Sequence, residues 1–147
     1  MILLDEKEYK RWLEAALKTL NSAQGDLVRG DYNWACFKAQ QAAELVLKGL
    51  TRGIGSPRYG HSVSRILEEL INEIQTKPSP DIIECSKLLD KMCIPTRYPD
   101  AWSEGTPYYY YTEKDAKNAI ECSEKVIKWV ESQWRRLSSA VELEENK

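Results

Sequence analysis

The stretch Asp31-Tyr-Asn-Trp-Ala-Cys-Phe-Lys-Ala-Gln-Gln-Ala-Ala-Glu-Leu-Val-Leu-Lys-Gly-Leu-Thr-Arg52 decides the fold. Its apolar residues return at intervals of three and four, the period of a helix, and never settle into the alternation of a half-buried strand. Ala35, Ala39, Ala42, Ala43, Val46 and Leu50 share one side, while Trp34, Phe37, Leu45 and Leu47 cover others. A helix apolar on so many sides belongs at the centre of a bundle. Its alanines let a neighbouring backbone come close, and Asp31 is placed to cap its N-terminus.

Outward from this helix the same period holds. Before it, a helix from about Glu6 to Val28 carries Tyr9, Trp12, Leu13, Ala16, Leu20, Ala23 and Leu27 along one stripe, and Gly30 ends it. After it, Gly53, Gly55, Pro57 and Gly60 make a connection to a third helix, about Ser62 to Ile74. Lys77-Pro-Ser-Pro80 is the next break, with Ser79 as N-cap and Pro80 at the first position of a fourth helix. Thr112 and Asp115 form a capping box, Asp standing in for the usual Glu, and open the last helix. Its residues Ala116, Ile120, Ser123, Ile127, Val130, Trp134 and Leu137 step by four and three, a seam that calls for a helical partner and motivates a homodimer. The expected fold is all-α: an up-and-down bundle of four long helices and a shorter one over residues 1–140, then an acidic tail, 141–147, that frays.

The 147 residues suffice for one domain that buries roughly two thirds of the surface exposed on unfolding. With 21 basic and 23 acidic residues, a formal net charge of -2, there is no global field for nucleic acid, so any such contact must come from a local patch. The four cysteines, Cys36, Cys85, Cys93 and Cys122, form no C-x-x-C pair and stand in apolar helical contexts; they read as small core residues in a reducing compartment, with a metal or disulfide role as the minor alternative. Met1-Ile-Leu-Leu4 is too short for a secretory signal, and no later run reaches the roughly eighteen apolar residues of a membrane span. A cytoplasmic protein is expected, with no cofactor. His61 is the only histidine, which rules out a His-rich metal site and limits acid-base chemistry.

Ile94-Pro-Thr-Arg-Tyr-Pro-Asp-Ala-Trp102 interrupts the helical pattern. Pro95 and Pro99 deny backbone donors and push the residues before them toward extended conformations, so Arg97 and Asp100 project from a loop. Such a loop either holds function on a rigid scaffold or merely joins helices. Two basic clusters with aromatic neighbours offer phosphate or base recognition: Arg97 with Tyr98 and Trp102, and Lys48, Arg52, Arg58 and His61 with Tyr59. Both also fit an ordinary solvated surface, and His61 fits a simple capping role. Gln40, Gln41 and Glu44 make a polar strip on the central helix, with Glu44 set to pair with Lys48. Tyr108-Tyr-Tyr-Tyr111 reads as a loop folded back over the bundle, its rings buried and its hydroxyls in water.

Taken together, Gly30-Asp-Tyr-Asn-Trp-Ala-Cys-Phe-Lys-Ala-Gln-Gln-Ala-Ala-Glu44, Leu47-Lys-Gly-Leu50, Gly60-His-Ser62, Ile94-Pro-Thr-Arg-Tyr-Pro-Asp100 and Tyr111-Thr-Glu-Lys-Asp-Ala116 resemble the HEPN family over roughly Tyr9 to Val130. The resemblance implies a helical domain, commonly a homodimer with a cleft between paired faces, that often occurs beside a minimal nucleotidyltransferase. Toxic members are metal-independent ribonucleases with an Arg followed, after four to six residues, by a His. From Arg97 that His would fall at 102–104, where Trp102, Ser103 and Glu104 stand; for His61 the Arg would fall at Ile54, Gly55 or Ser56. The motif is absent. Some relatives are silenced by nucleotide transfer to a Tyr just beyond that His, whereas here the tyrosine run begins at Tyr108. The leading expectation is therefore a nucleotide- or RNA-binding dimer in a toxin–antitoxin-like system, its site built from Arg97, Tyr98, Asp100, Lys48, Arg52, Arg58 and His61, with no metal. The alternatives are a ribonuclease with a non-standard catalytic pair, Arg97 with His61 or Asp100, and a structural helical adaptor.

Overall fold

The computed structural model describes residues 3–147; Met1 and Ile2, part of the Met1-to-Leu4 run read above, lie outside the described residues. The fold is all-helical: α1 (Glu6–Arg29), α2 (Tyr32–Gly53), α3 (Val63–Ile74), α4 (Pro80–Asp90), a 3-10 turn at Pro99–Ala101, α5 (Pro107–Tyr110) and α6 (Glu113–Glu145).

α1 and α2 form an antiparallel pair. Gly30, at φ 84°, takes the left-handed conformation that closes α1 and turns the chain into α2 within two residues. The expected small-residue contact is most intimate at Gly49, where an added Cβ would lie 2.7 Å from Trp12 Cβ, and at Gly53, where it would meet the Trp134 ring and lie 3.0 Å from Tyr9 Cβ. Asp31 holds the N-cap position of α2, but its side chain makes no cap hydrogen bond and instead stands 3.5 Å from Arg29 Nε. The Thr112–Asp115 capping box forms in both directions at the start of α6. α2 is the central helix, with Ala35, Ala39, Ala42, Ala43, Leu47 and Leu50 fully buried.

Four sequence readings change. The α6 seam is filled within the chain: Ala116, Ile120, Ser123, Ile127, Val130, Trp134 and Leu137 are all buried against the rest of the bundle, so this seam leaves nothing for a second copy. Residues 141–145, expected to fray, continue α6, because no Gly or Pro interrupts them and Glu and Leu favour helix. Part of the tyrosine run forms α5, with Pro107 at its first turn. Cys85 and Cys122, read as separate core thiols, are joined in a disulfide between α4 and α6, with Cα atoms 5.0 Å apart; only Cys36 and Cys93 are free. Helical periodicity reported that Cys85 is buried, but not that α4 lays it against α6.

Candidate functional site

The Pro95–Pro99 segment is a tethered loop. Asn33, buried at the start of α2, donates from Nδ2 to the Thr96 carbonyl at 3.1 Å. Thr96 is itself buried, its hydroxyl bonding back to the carbonyls of Met92 and Cys93. Trp102 Nε1 donates to the Pro95 carbonyl at 2.8 Å, and its ring stacks on Tyr110 at 4.0 Å. Backbone donors missing at the prolines are thus offset by side chains reaching in from α2 and from the following segment.

Arg97 leaves this loop beside α2. Its Nε donates to the Cys93 carbonyl at 3.1 Å, and its guanidinium lies 4.1 Å from the centre of the Phe37 ring and 5.0 Å from that of Tyr98. One edge is fixed by a carbonyl and one face by an aromatic platform. Among the described residues no carboxylate pairs with it. Nη2 also reaches Cys93 Sγ at 3.9 Å, the other N–H donors are available to an anion, and a guanidinium suits a phosphate in two-point contact.

His61 lines the same groove as Arg97. The connection between α2 and α3 runs back along α2, with Arg58 N bonding Thr51 Oγ1, until Gly60, at φ 98°, turns it and His61 meets Glu44. His61 Nδ1 lies 3.1 Å from Oε1 of buried Glu44, while the imidazole stays 75% exposed. Gln40 Nε2 donates to the His61 carbonyl at 2.9 Å, and Lys48 Nζ holds the other Glu44 oxygen at 3.0 Å. The polar strip Gln40–Gln41–Glu44 is thus a mount for the histidine. Asp90 accepts from Ser62 Oγ, Val63 N and the Ser64 hydroxyl, tying α4 to the start of α3 below it.

Together Phe37, Gln41, His61, Ser62, Asp90, Cys93, Ile94, Arg97 and Tyr98 line a groove of about 740 Å³. The structure brings Arg97, Tyr98 and His61 together and separates the other sequence candidates. Lys48 is spent on Glu44 and only 14% exposed. Arg52 lies over the Trp12 ring at 4.5 Å. Arg58 is paired with Glu69 and Glu73. Asp100 is exposed on the 3-10 turn and is not part of the lining. Phe37 and Cys93 went unnoticed as site residues. The signal for Phe37 was its spacing from Gln41, Glu44 and Lys48, one face of α2 that is neither core nor plain surface. Among the described residues there is no group of three His, Cys, Asp or Glu side chains arranged to hold a metal ion, and no helix long and apolar enough to cross a membrane.

This arrangement sits on a known fold. The HEPN domain family model matches residues 9–133, and the chain belongs to that family. Among solved structures it is similar to TT1696 from Thermus thermophilus, with 44% identity, a TM-score of 0.81, and 85% of this chain and 97% of that one covered. ST0689, an archaeal HEPN homologue, is 40% identical with a TM-score of 0.72, covering 86% of this chain and 97% of the other. An HEPN domain protein of Thermotoga maritima, TM0613, is 32% identical with a TM-score of 0.70, covering 86% and 98%. No curated protein matches the chain.

Proposed function

We propose that this HEPN domain binds the phosphate of a nucleotide or RNA in the groove between α2, the start of α3 and the Pro95–Pro99 loop. The observation that carries the reading is the Arg97 guanidinium, held by the Cys93 carbonyl and the Phe37 ring and left without a carboxylate partner on the groove wall. A buried or half-buried Arg normally has an acid nearby, and one kept free at an aromatic-lined cleft is suited to an anionic ligand. Tyr98, 47% exposed, offers a ring beside it on which a base can stack. Family membership supports the wider setting of a homodimer in the cytoplasm acting with a minimal nucleotidyltransferase in a toxin–antitoxin-like pair. The dimer contact then uses a surface other than the internally filled α6 seam.

Cys93 gives a direct test. Its Sγ lies 3.9 Å from Arg97 Nη2 on the same wall. Nucleotide or short RNA in the groove slows alkylation of Cys93 and leaves fully buried Cys36 untouched; an unchanged rate through millimolar nucleotide and RNA overturns the reading.

A second reading rests on the Glu44–His61 contact. A carboxylate behind a histidine orients its ring, the arrangement a proton-transferring His needs, and Arg97 lines the same groove, where it can hold phosphate. This is the ribonuclease alternative with its pair drawn from separate loops. Chelator-insensitive RNA cleavage lost in both His61→Ala and Arg97→Ala puts it first; intact RNA with retained binding leaves the binding reading in place.

A further inference from the structure

His61 borders two cavities. Beyond the Arg97 groove, Pro57, Arg58, Tyr59, Gly60, His61, Ser62, Arg65, Ile66 and Glu69 enclose a second depression of about 310 Å³, with His61 and Ser62 common to both. The two sides carry the same pair of residue types. On one, Arg97 stands beside Tyr98; on the other, Arg65 and Tyr59 line the same depression, Tyr59 being 77% exposed. The second side also holds Arg58 and Glu69, and its two arginines differ in availability. Arg58 is occupied by Ser56 Oγ at 3.0 Å, Glu69 at 3.0 Å and Glu73 at 3.0 Å. Arg65 makes one loose contact, Nε to Glu69 Oε1 at 3.5 Å, with its side chain 81% exposed. Glu69 is already held by Arg58, so most of the Arg65 fork is open to an anion.

We propose that this second depression is a subsite for the adjoining nucleotide of a single-stranded polynucleotide, which crosses His61 with one phosphate at Arg97 and another at Arg65. A repeated cation-and-ring pair on either side of a ridge is the pattern that grips consecutive nucleotides, charge on the backbone and rings under the bases. A mononucleotide would fill only one side. This inference rests on the Arg97 reading above and extends it from a nucleotide to a chain.

The test compares uridine monophosphate with a fluorescent uridine octamer, and a thymidine octamer to separate RNA from DNA, on wild type, Arg65→Ala, Tyr59→Ala and Arg97→Ala. Arg65→Ala weakens the octamer about tenfold and lowers the slope of log affinity against log salt by about 0.7, while the mononucleotide binds as before. Tyr59→Ala weakens the octamer without changing that slope, and Arg97→Ala weakens both ligands. Octamer affinity and slope unchanged in Arg65→Ala, with Arg97→Ala still losing the mononucleotide, overturn the second subsite alone. Wild type that binds neither ligand overturns both readings.

Discussion

Glu44 and His61, seventeen positions apart, meet at 3.1 Å because the chain leaving α2 doubles back along it. Glu44 is 5% exposed and also receives Lys48 Nζ at 3.0 Å and Gln40 Nε2 at 3.3 Å. Glu44→Ala leaves the nearly buried Lys48 ammonium without its acceptor and the Gln40 amide with the His61 carbonyl alone, and lowers unfolding free energy in urea by about 2–4 kcal/mol. His61→Ala, at a mostly exposed ring, costs under about 0.5 kcal/mol. Equal losses in the two variants would mean that the histidine holds the fold rather than being held by it.

The α1–α2 contact fixes the scaffold on which the groove is built. Gly49→Ala drives a Cβ to 2.7 Å from Trp12 Cβ, a rigid neighbour, so the helices must separate. A loss of about 1–3 kcal/mol in denaturant unfolding is expected despite the better helix propensity of Ala. A neutral or stabilising Gly49→Ala would show that the pair has slack.

Thiol accounting tests the link between α4 and α6. Protein unfolded without reductant titrates two thiols, Cys36 and Cys93, and four after reduction. Cys122→Ser removes a cross-link between residues 37 positions apart and lowers stability by about 2–4 kcal/mol. Four thiols in the oxidised protein would show Cys85 and Cys122 as neighbours without a bond.

Alkali should loosen the fold through two groups in the core. Burial, and after it the charge of Asp115, pushes the Cys36 thiol up to about 12, and burial does the same to the Tyr9 hydroxyl. Groups whose acidity is weakened by folding stay neutral in the native state and ionise more readily in the unfolded chain. Their contribution is complete below the unfolded pKa and is lost as pH rises toward the folded one. The melting temperature therefore holds level from pH 7 to about 8.5 and falls from about pH 9 upward. Cys36→Ala makes that fall shallower; an identical fall in the variant would place its cause elsewhere.

Helices and their ends were legible because they depend on local chemistry. Gly30, Pro80 and the Thr112–Asp115 pair marked boundaries that the structure keeps, and Pro95 with Pro99 marked the loop. Arg97, Tyr98 and His61 were legible as types able to hold phosphate. What the sequence hid was partnership at a distance. Phe37 read as one more apolar helix residue because nothing local says that an Arg sixty positions on will lie across its ring. The α6 seam read as an outer face because periodicity gives the width of an apolar stripe and not its occupant. Arg58 read as a free cation until the fold set Glu69 and Glu73 beside it, whereas the Glu44–Lys48 pair was legible from its spacing of four along one helix.

The central claim is that Arg97 is a phosphate-binding side chain rather than a structural one. Calorimetric titration of a nucleotide into wild type and Arg97→Lys, with melting curves on both, tests it most directly. Lys keeps the charge and loses the planar fork, its stacking on Phe37 and the bond to the Cys93 carbonyl. The account predicts measurable binding in the wild type, a loss of about tenfold or more in the variant, and melting temperatures within about 3 °C of each other. No binding in the wild type, together with a large drop in melting temperature for Arg97→Lys, would contradict it and make the loop a clasp for the fold.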